Sequence, residues 1–277
     1  MNLNHDTLQA SWAMARRGLR LWTYLARRSV IAQLAYRTDF VLGLARNAGY
    51  VALTVIFYQI LFLHTTSLAG WSEPAILVLF GTFRLVKGVL YFFVEDNIST
   101  IPEAVRTGAL DFVLLKPVSA RFLFTFSKVN LGAFADALVG VGLVVYGLRA
   151  LDIGAALGAV AGYLALVACA VLIFYNLLFM VMTISFWTIK VDGLQYLFDE
   201  LLNMAGLPTA VYKGAVGLVF SYVLPIGIAA TAPASLLSGR HDLGASWLYA
   251  PVFLVVSSVA SQTLWRRALR GYTSAGG

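Results

Sequence analysis

Four ionisable side chains stand inside otherwise apolar runs of this chain: Arg46, Arg84, Lys87 and Asp136. In hydrocarbon such groups can pair with one another, contact a polar cargo or pass a proton, because an unpaired charge there is costly. Counted from span ends near Phe40, Val94 and Val129, three of them (Arg46, Lys87 and Asp136) lie at similar depths, on the order of 10 Å in. Arg84 lies deeper. Depth therefore predicts that Asp136 pairs with Arg46 or Lys87. Snorkelling of the basic residues, or simple registration of helices, competes with a substrate-contacting or gating role. Asn47 and Asn176 are expected to bond between helices. Gly132, Gly140 and Gly142 mark a span on which another helix can come close.

Other chemistry is missing from the pattern. No G-x-x-x-x-G-K-[ST] string occurs, and the nearest run, "GTFRLVKG", places its lysine before the glycine. No G-x-S-x-G or histidine-paired nucleophile is present. His5, His64 and His241 are far apart, and Cys169 is the single cysteine, so neither a metal site nor an intrachain disulfide is expected. The chain is predicted not to be an enzyme, to hold no cofactor of its own and to draw energy from a partner or an ion gradient.

The elements that must position these residues are membrane helices. Of 277 residues, 60% are hydrophobic and 12% charged, and the mean hydropathy is +0.81. A soluble domain is nearer one half and one quarter. Apolar runs of the length needed to cross hydrocarbon fall at 40–64, 74–94, 129–148, 155–188, 214–232 and 246–265. The run 155–188 is read as one helix of about 50 Å that projects beyond the membrane. Before the first span, Leu8, Trp12, Ala15, Leu19, Trp22 and Ala26 form a stripe flanked by arginines. This predicts a basic amphipathic helix over 8–28, lying on anionic headgroups. The fold class is thus an all-α integral membrane protein with six transmembrane helices and a preceding interfacial helix.

Charge orients the spans. With the N-terminus in the cytosol, fifteen lysines and arginines fall in inner segments, and only Arg149 and Arg240 fall outside. Both termini are then cytosolic. The net charge of +7 belongs beside the spans, on membrane lipids rather than nucleic acid. Segment 189–213, with Asp199 and Glu200, makes a poor span and is expected to be an interfacial cytosolic helix ending before Pro208.

The largest inner segment, 95–128, carries "NISTIPEAVRTGALDFVLLKPVSARF" at 97–122. Thr100 and Glu103 have capping-box spacing, Pro102 suits a first helical turn, and Gly108 is a natural left-handed stop. A helix over 101–107 is predicted, too short to stand alone in water. It rests either on headgroups through Ile101 and Val105 or against a cytosolic partner. The run resembles the cytosolic loop of type 2 ABC transporter permeases of the bacterial export branch. The likeness is carried by Asn97, Ile101, Gly108, Leu110, Asp111, Leu114, Leu115, Pro117 and Val118. It extends to "LP" at 207–208, Tyr212, "LPIG" at 224–227 and "APASLL" at 232–237. The run around 225–234 is less aromatic than that pattern.

The resemblance implies that 98–108 is a coupling helix between spans two and three, docking into a separate ATP-hydrolysing subunit. Asn97, Ile101, Glu103, Val105, Arg106, Gly108, Leu110, Asp111 and Pro117 would serve that contact. It also implies cytosolic ABC ATPase subunits that carry ATP and Mg2+. A second permease chain, identical or paralogous, would complete the pathway in a bacterial cytoplasmic membrane. Arg46, Arg84, Lys87, Asp136 and Asn176 are the intramembrane polar candidates. The interior predicts a lipidic, hydrophobic or amphipathic cargo. Two other functions remain in view: an ion-gradient-driven carrier centred on Asp136, and a non-transporting membrane scaffold.

Overall fold

The structure is a computed structural model that describes residues 3–154, 156–188, 192–220, 224–240 and 246–273. Helix α1 (Leu3–Ala35) runs into α2 (Arg37–His64) with a break at Tyr36. Helix α3 (Glu73–Leu90) continues through a π-helical turn (Tyr91–Glu95) into α4 (Asp96–Ile98), and α5 (Ile101–Arg106) follows. Helices α6 (Leu110–Leu114) and α7 (Ala120–Phe126) lead to α8 (Leu131–Ala150). Helix α9 (Leu157–Thr183) ends in a 3-10 turn (Ile184–Phe186). Beyond it lie α10 (Asp192–Asn203), 3-10 turns at Met204–Gly206 and Thr209–Val211, α11 (Gly214–Leu218), α12 (Ile226–Ala229), α13 (Thr231–Leu237) and α14 (Ser246–Gly271).

Helix α3 is the centre of the bundle: thirteen of its eighteen residues are buried, Ile76, Val78 and Leu79 completely. It lies antiparallel to α8 at backbone contact. A Cβ on Gly81 would stand 2.7 Å from Gly140 O, and one on Gly140 would stand 2.5 Å from Leu85 N. Gly88 meets Ala137 N at 2.5 Å in the same way, and Gly147 meets Pro74 O at 2.7 Å. Gly81 and Gly88, like Gly140 and Gly147, are seven residues apart, so each pair presents one helix face. Of the three glycines expected to admit a neighbouring helix, Gly140 does so, whereas Gly142 has open space around it. Gly140→Val is expected to force the two backbones apart and cost about 1–3 kcal/mol or more. A lower midpoint in a detergent thermal-unfolding assay, with Gly142→Val close to unchanged, checks this.

Among the described residues, four stretches are long and apolar enough to cross a membrane: Phe40–His64, Glu73–Arg106, Leu131–Ala150 and Leu157–Phe186. They coincide with the first four expected spans, and the second extends well past residue 94. The sixth expected span lies within α14, a 26-residue helix with Pro251 inside it. The stretch expected as the fifth, 214–232, is different. Its described part holds the five-residue α11 and the four-residue α12, with Pro225 between them. Pro225 has no N–H to give, and Ala230 sits at φ −144° and ψ −46°, which interrupts the helix again before α13. Lys190, residue 155 and residues 221–223 lie outside the described residues, as do the side chains of Leu8, Trp12 and Ala15.

Segment 189–213 forms helix α10, which ends at Asn203, before Pro208 as expected. It packs on α9 and is tied by side chains to α3 and the π-turn that follows it. The Lys87 ammonium donates to Asn203 Oδ1 at 2.6 Å, the Tyr91 hydroxyl donates to Asp199, and Gln195 Nε2 donates to Glu95 Oε1 at 3.0 Å. Both partners of this ladder step by four residues, so two helix faces meet antiparallel. Further along, Tyr58 of α2 donates to Gly206 O at 3.0 Å, and Gly206 lies beside Phe83. Of the two acids that made this stretch a poor span on hydropathy, Asp199 is one of the groups that tie it to α3 and its π-turn.

Candidate functional site

Loop 95–128 is closed at its base by one side chain. Asn97 is 3% exposed and uses its whole amide. Its Nδ2 donates to Phe93 O at 2.8 Å, Thr125 O at 3.1 Å and Lys128 O at 2.9 Å, while its Oδ1 accepts from Lys128 N at 2.9 Å. The two ends of the loop are thereby held together. Next to it, Asn130 caps α8 by accepting from Ala133 N at 3.0 Å, and its Nδ2 donates to Asp96 Oδ2 at 2.9 Å. Helix α1 joins the same junction. The Ser29 hydroxyl donates to Val129 O at 3.0 Å, and Leu131 N donates to Gln33 Oε1 at 3.0 Å.

Helix α5 has the predicted extent to within a residue, with Pro102 in its first turn and Gly108 at φ +74° after its end. The capping box does not form. Thr100 is itself helical, and its hydroxyl donates to Asn97 O at 2.5 Å, while Glu103 turns to Arg106 at 2.7 Å. Helical dihedrals run on from α4, so α5 needs no cap of its own. Ile101 is fully buried, Ala104 is buried, and Val105 packs on the same core against the end of α9. Ile101 is therefore not available to rest on headgroups, while Val105 keeps part of its surface exposed.

The nine residues expected at a docking surface therefore divide. Asn97, Ile101 and Leu110 are buried and shape the loop from within, with Val105 partly buried beside them. The Glu103–Arg106 pair is open to solvent, its side chains 60% and 61% exposed. Pro117 is exposed, while Gly108 and Asp111 are half-buried. Beside the pair, Phe112 and Leu115 are 72% and 80% exposed. The family-like pattern flags Leu115; nothing in the sequence flags Phe112 as outward, because in an apolar run only the helix face separates it from buried Leu110.

The outgoing half of the loop is tied to two other helices. Arg121 donates to Tyr175 Oη at 2.8 Å, to Asn176 Oδ1 at 3.0 Å and to Ser261 Oγ at 3.0 Å, and its guanidinium lies 4.4 Å from the centre of the Phe179 ring. Asn176 in turn donates to Ser258 Oγ at 2.9 Å, which joins α9 to α14 as expected of it. Trp265 of α14 is enclosed by Phe124, Phe179 and Phe186, with ring centres 5.1–6.3 Å away. Just beyond α14, burial and the neighbouring Asp111 push the Tyr272 phenol above its ordinary value. Loop 95–128 is thus in contact with α1, α9 and α14 at one end of the bundle.

Inside the bundle, Asp136 pairs with Arg84, not with Arg46 or Lys87. Asn47 completes the cluster: its Nδ2 donates to Asp136 Oδ1 at 3.0 Å and its Oδ1 accepts from Arg84. Arg84 and Asp136 are 4% and 8% exposed. The reason is helix face rather than depth. The register of α3 on α8 puts Asp136 level with Lys87, but Lys87 faces α10 and Asn203. Arg46 is exposed, one residue off the face that carries Asn47.

Among the described residues, no group of histidine, cysteine and acidic side chains is arranged to hold a metal. A family model described as ABC-2 family transporter protein matches residues 48–276. Comparison with curated proteins and with solved structures gave no match.

Proposed function

The chain belongs to the ABC-2 transporter family, and from that premise we propose that it is the permease subunit of an ATP-driven exporter, with α5 and α6 as its contact to a cytosolic ATPase. The family is a membrane transport component rather than a catalytic one. The observation that carries the ATPase contact is the construction of loop 95–128. A charged, exposed face with Phe112 and Leu115 beside it stands on a buried base made of Asn97, Ile101 and Leu110. A force on that face passes through Arg121 to α9 and α14 and through the continuous α3–α4 helix to the centre of the bundle.

The other partners follow the same reading. Helix α2 leaves Leu53 and Leu63 69% and 80% exposed, a side open to lipid or a second permease chain. The concentration of basic residues on the segments around the loop supports a cytosolic position for that end, and the resemblance of 97–122 to bacterial export permeases supports a bacterial membrane. A gradient-driven carrier centred on Asp136 is disfavoured because that carboxylate is committed to Arg84.

The test is co-purification from the native host, with partners identified by mass spectrometry. Glu103→Ala, Arg106→Ala, Phe112→Ser and Leu115→Ser change only exposed side chains. Together they are expected to lower recovery of a P-loop ATPase about tenfold or more, while the permease elutes unchanged. A native chain that purifies with no such ATPase would sink the reading.

A further inference from the structure

Between α1, α2, α3 and α8, at the same end of the bundle as loop 95–128, lies a cavity of about 1150 Å³. Its wall carries five cations, Arg28, Arg46, Arg84, Lys87 and Lys128, against two carboxylates, Asp96 and Asp136. Both carboxylates are engaged, Asp136 by Arg84 and Asp96 by Asn130. Among the described residues, Arg28, Arg46 and Lys128 form no ion pair. At the deep end Arg84 is 96% buried, yet its Nε has no hydrogen-bond partner. A buried guanidinium N–H left open costs free energy unless something accepts from it. The cations are spread in depth: Arg28 and Lys128 near the ends of α1 and the loop, then Arg46 and Lys87, then Arg84.

We propose that this cavity binds the phosphate-bearing headgroup of an anionic membrane lipid. Size and charge both argue for it. The volume exceeds what an inorganic anion fills and lies at the upper end of small-molecule sites. Cations at successive depths suit a headgroup with more than one acidic oxygen cluster, and basic pockets between membrane helices are suited to such lipids. Phe40 and Tyr36 line the side next to α2, whose neighbouring Val41 and Leu42 are 60% and 67% exposed. Acyl chains leaving the cavity there stay in an apolar environment. The α1–α2 break at Tyr36 forms part of the wall, so an occupied cavity would hold α1 against the bundle together with the Ser29 and Gln33 bonds.

The proposal uses only the chain's placement in a membrane, so its outcome is separate from whether an ATPase binds α5. The full chain, purified in a neutral detergent, is titrated with cardiolipin, phosphatidylglycerol or phosphatidylcholine, and adducts are counted by native mass spectrometry. Both anionic lipids are expected to bind at concentrations about tenfold or more below phosphatidylcholine, and Arg46→Gln/Lys128→Gln to erase that preference. Arg46→Lys/Lys128→Arg should retain it, which separates loss of charge from loss of fold. Arg20→Gln/Arg27→Gln removes the same charge from exposed α1 positions outside the cavity and should also retain it. Equal binding of charged and neutral lipids, or equal loss in the Arg20/Arg27 variant, overturns the proposal. Thermal stabilisation by inorganic phosphate without any lipid preference would assign the cavity to a soluble anion and overturn it as well.

Discussion

Asp136→Ala is expected to destabilise the folded chain by about 3–5 kcal/mol, because it leaves the Arg84 guanidinium buried with no counter-charge. Arg84 is 4% exposed, and its other partner, Asn47, supplies a dipole but no charge. The companion variant decides whether the pair itself matters. Arg84→Met/Asp136→Leu removes both charges at similar volume and should recover most of the loss, since replacing a buried pair by apolar groups is often neutral. Thermal unfolding in detergent, read by the fraction that still elutes as monodisperse protein, measures both. Asp136→Asn should fall between them, as its amide can still accept from Arg84. If Asp136→Asn leaves both assembly and transport unchanged, the pair has no role in either.

The second large effect concerns Asn97. Its four hydrogen bonds hold Phe93, Thr125 and Lys128, residues from both ends of loop 95–128. Asn97→Leu strands the Lys128 N–H and removes the two amide hydrogens shared among the Phe93, Thr125 and Lys128 carbonyls, and each orphaned group costs about 1–3 kcal/mol. The loop should open at its base while the helices of the bundle persist. Limited proteolysis is then expected to cut within 95–128 in the variant and not in the native chain, with ATPase recovery lost in parallel. Asn97→Asp is expected to do nearly as much damage, because a carboxylate keeps the acceptor for Lys128 N–H but replaces the amide donor facing three carbonyl oxygens by a second repelling oxygen. Uncut loop in both variants would show that Asn97 is not the closure.

Much of this was legible from residue order. Helices α2, α3, α8 and α9 stand out as apolar runs, and Pro102 with Gly108 brackets α5. What escaped was whatever depends on which way a helix faces. Lys87 is level with Asp136 and Arg84 lies three residues away, yet Lys87 is turned to Asn203 of α10 and Arg84 takes the carboxylate. Hydropathy also counts Asp199 as a cost wherever it sits, so α10 reads as too polar to join a bundle. A signal was nevertheless present. Gln195, Asp199 and Asn203 repeat at the same four-residue step as Lys87, Tyr91 and Glu95, and matching two polar stripes across segments would have found the ladder. The second apolar run reads as ending at 94, where the inner segment 95–128 begins. The π-turn instead lets the helix carry both acids to partners on α10 and α8.

The α3–α10 ladder also bears on how the protein is made. A twelve-residue helix that carries Asp199 between Gln195 and Asn203 is too short to cross a membrane and too polar on that face to dock on an apolar surface alone. The stretch of α3 and its π-turn, synthesised a hundred residues earlier, offers Glu95, Tyr91 and Lys87 in the matching order. The second half of the chain thus depends on the first as a template. Biogenesis should tolerate loss of the C-terminal segments better than loss of the early ones, and halves expressed separately should assemble only when the half bearing α3 is already in the membrane.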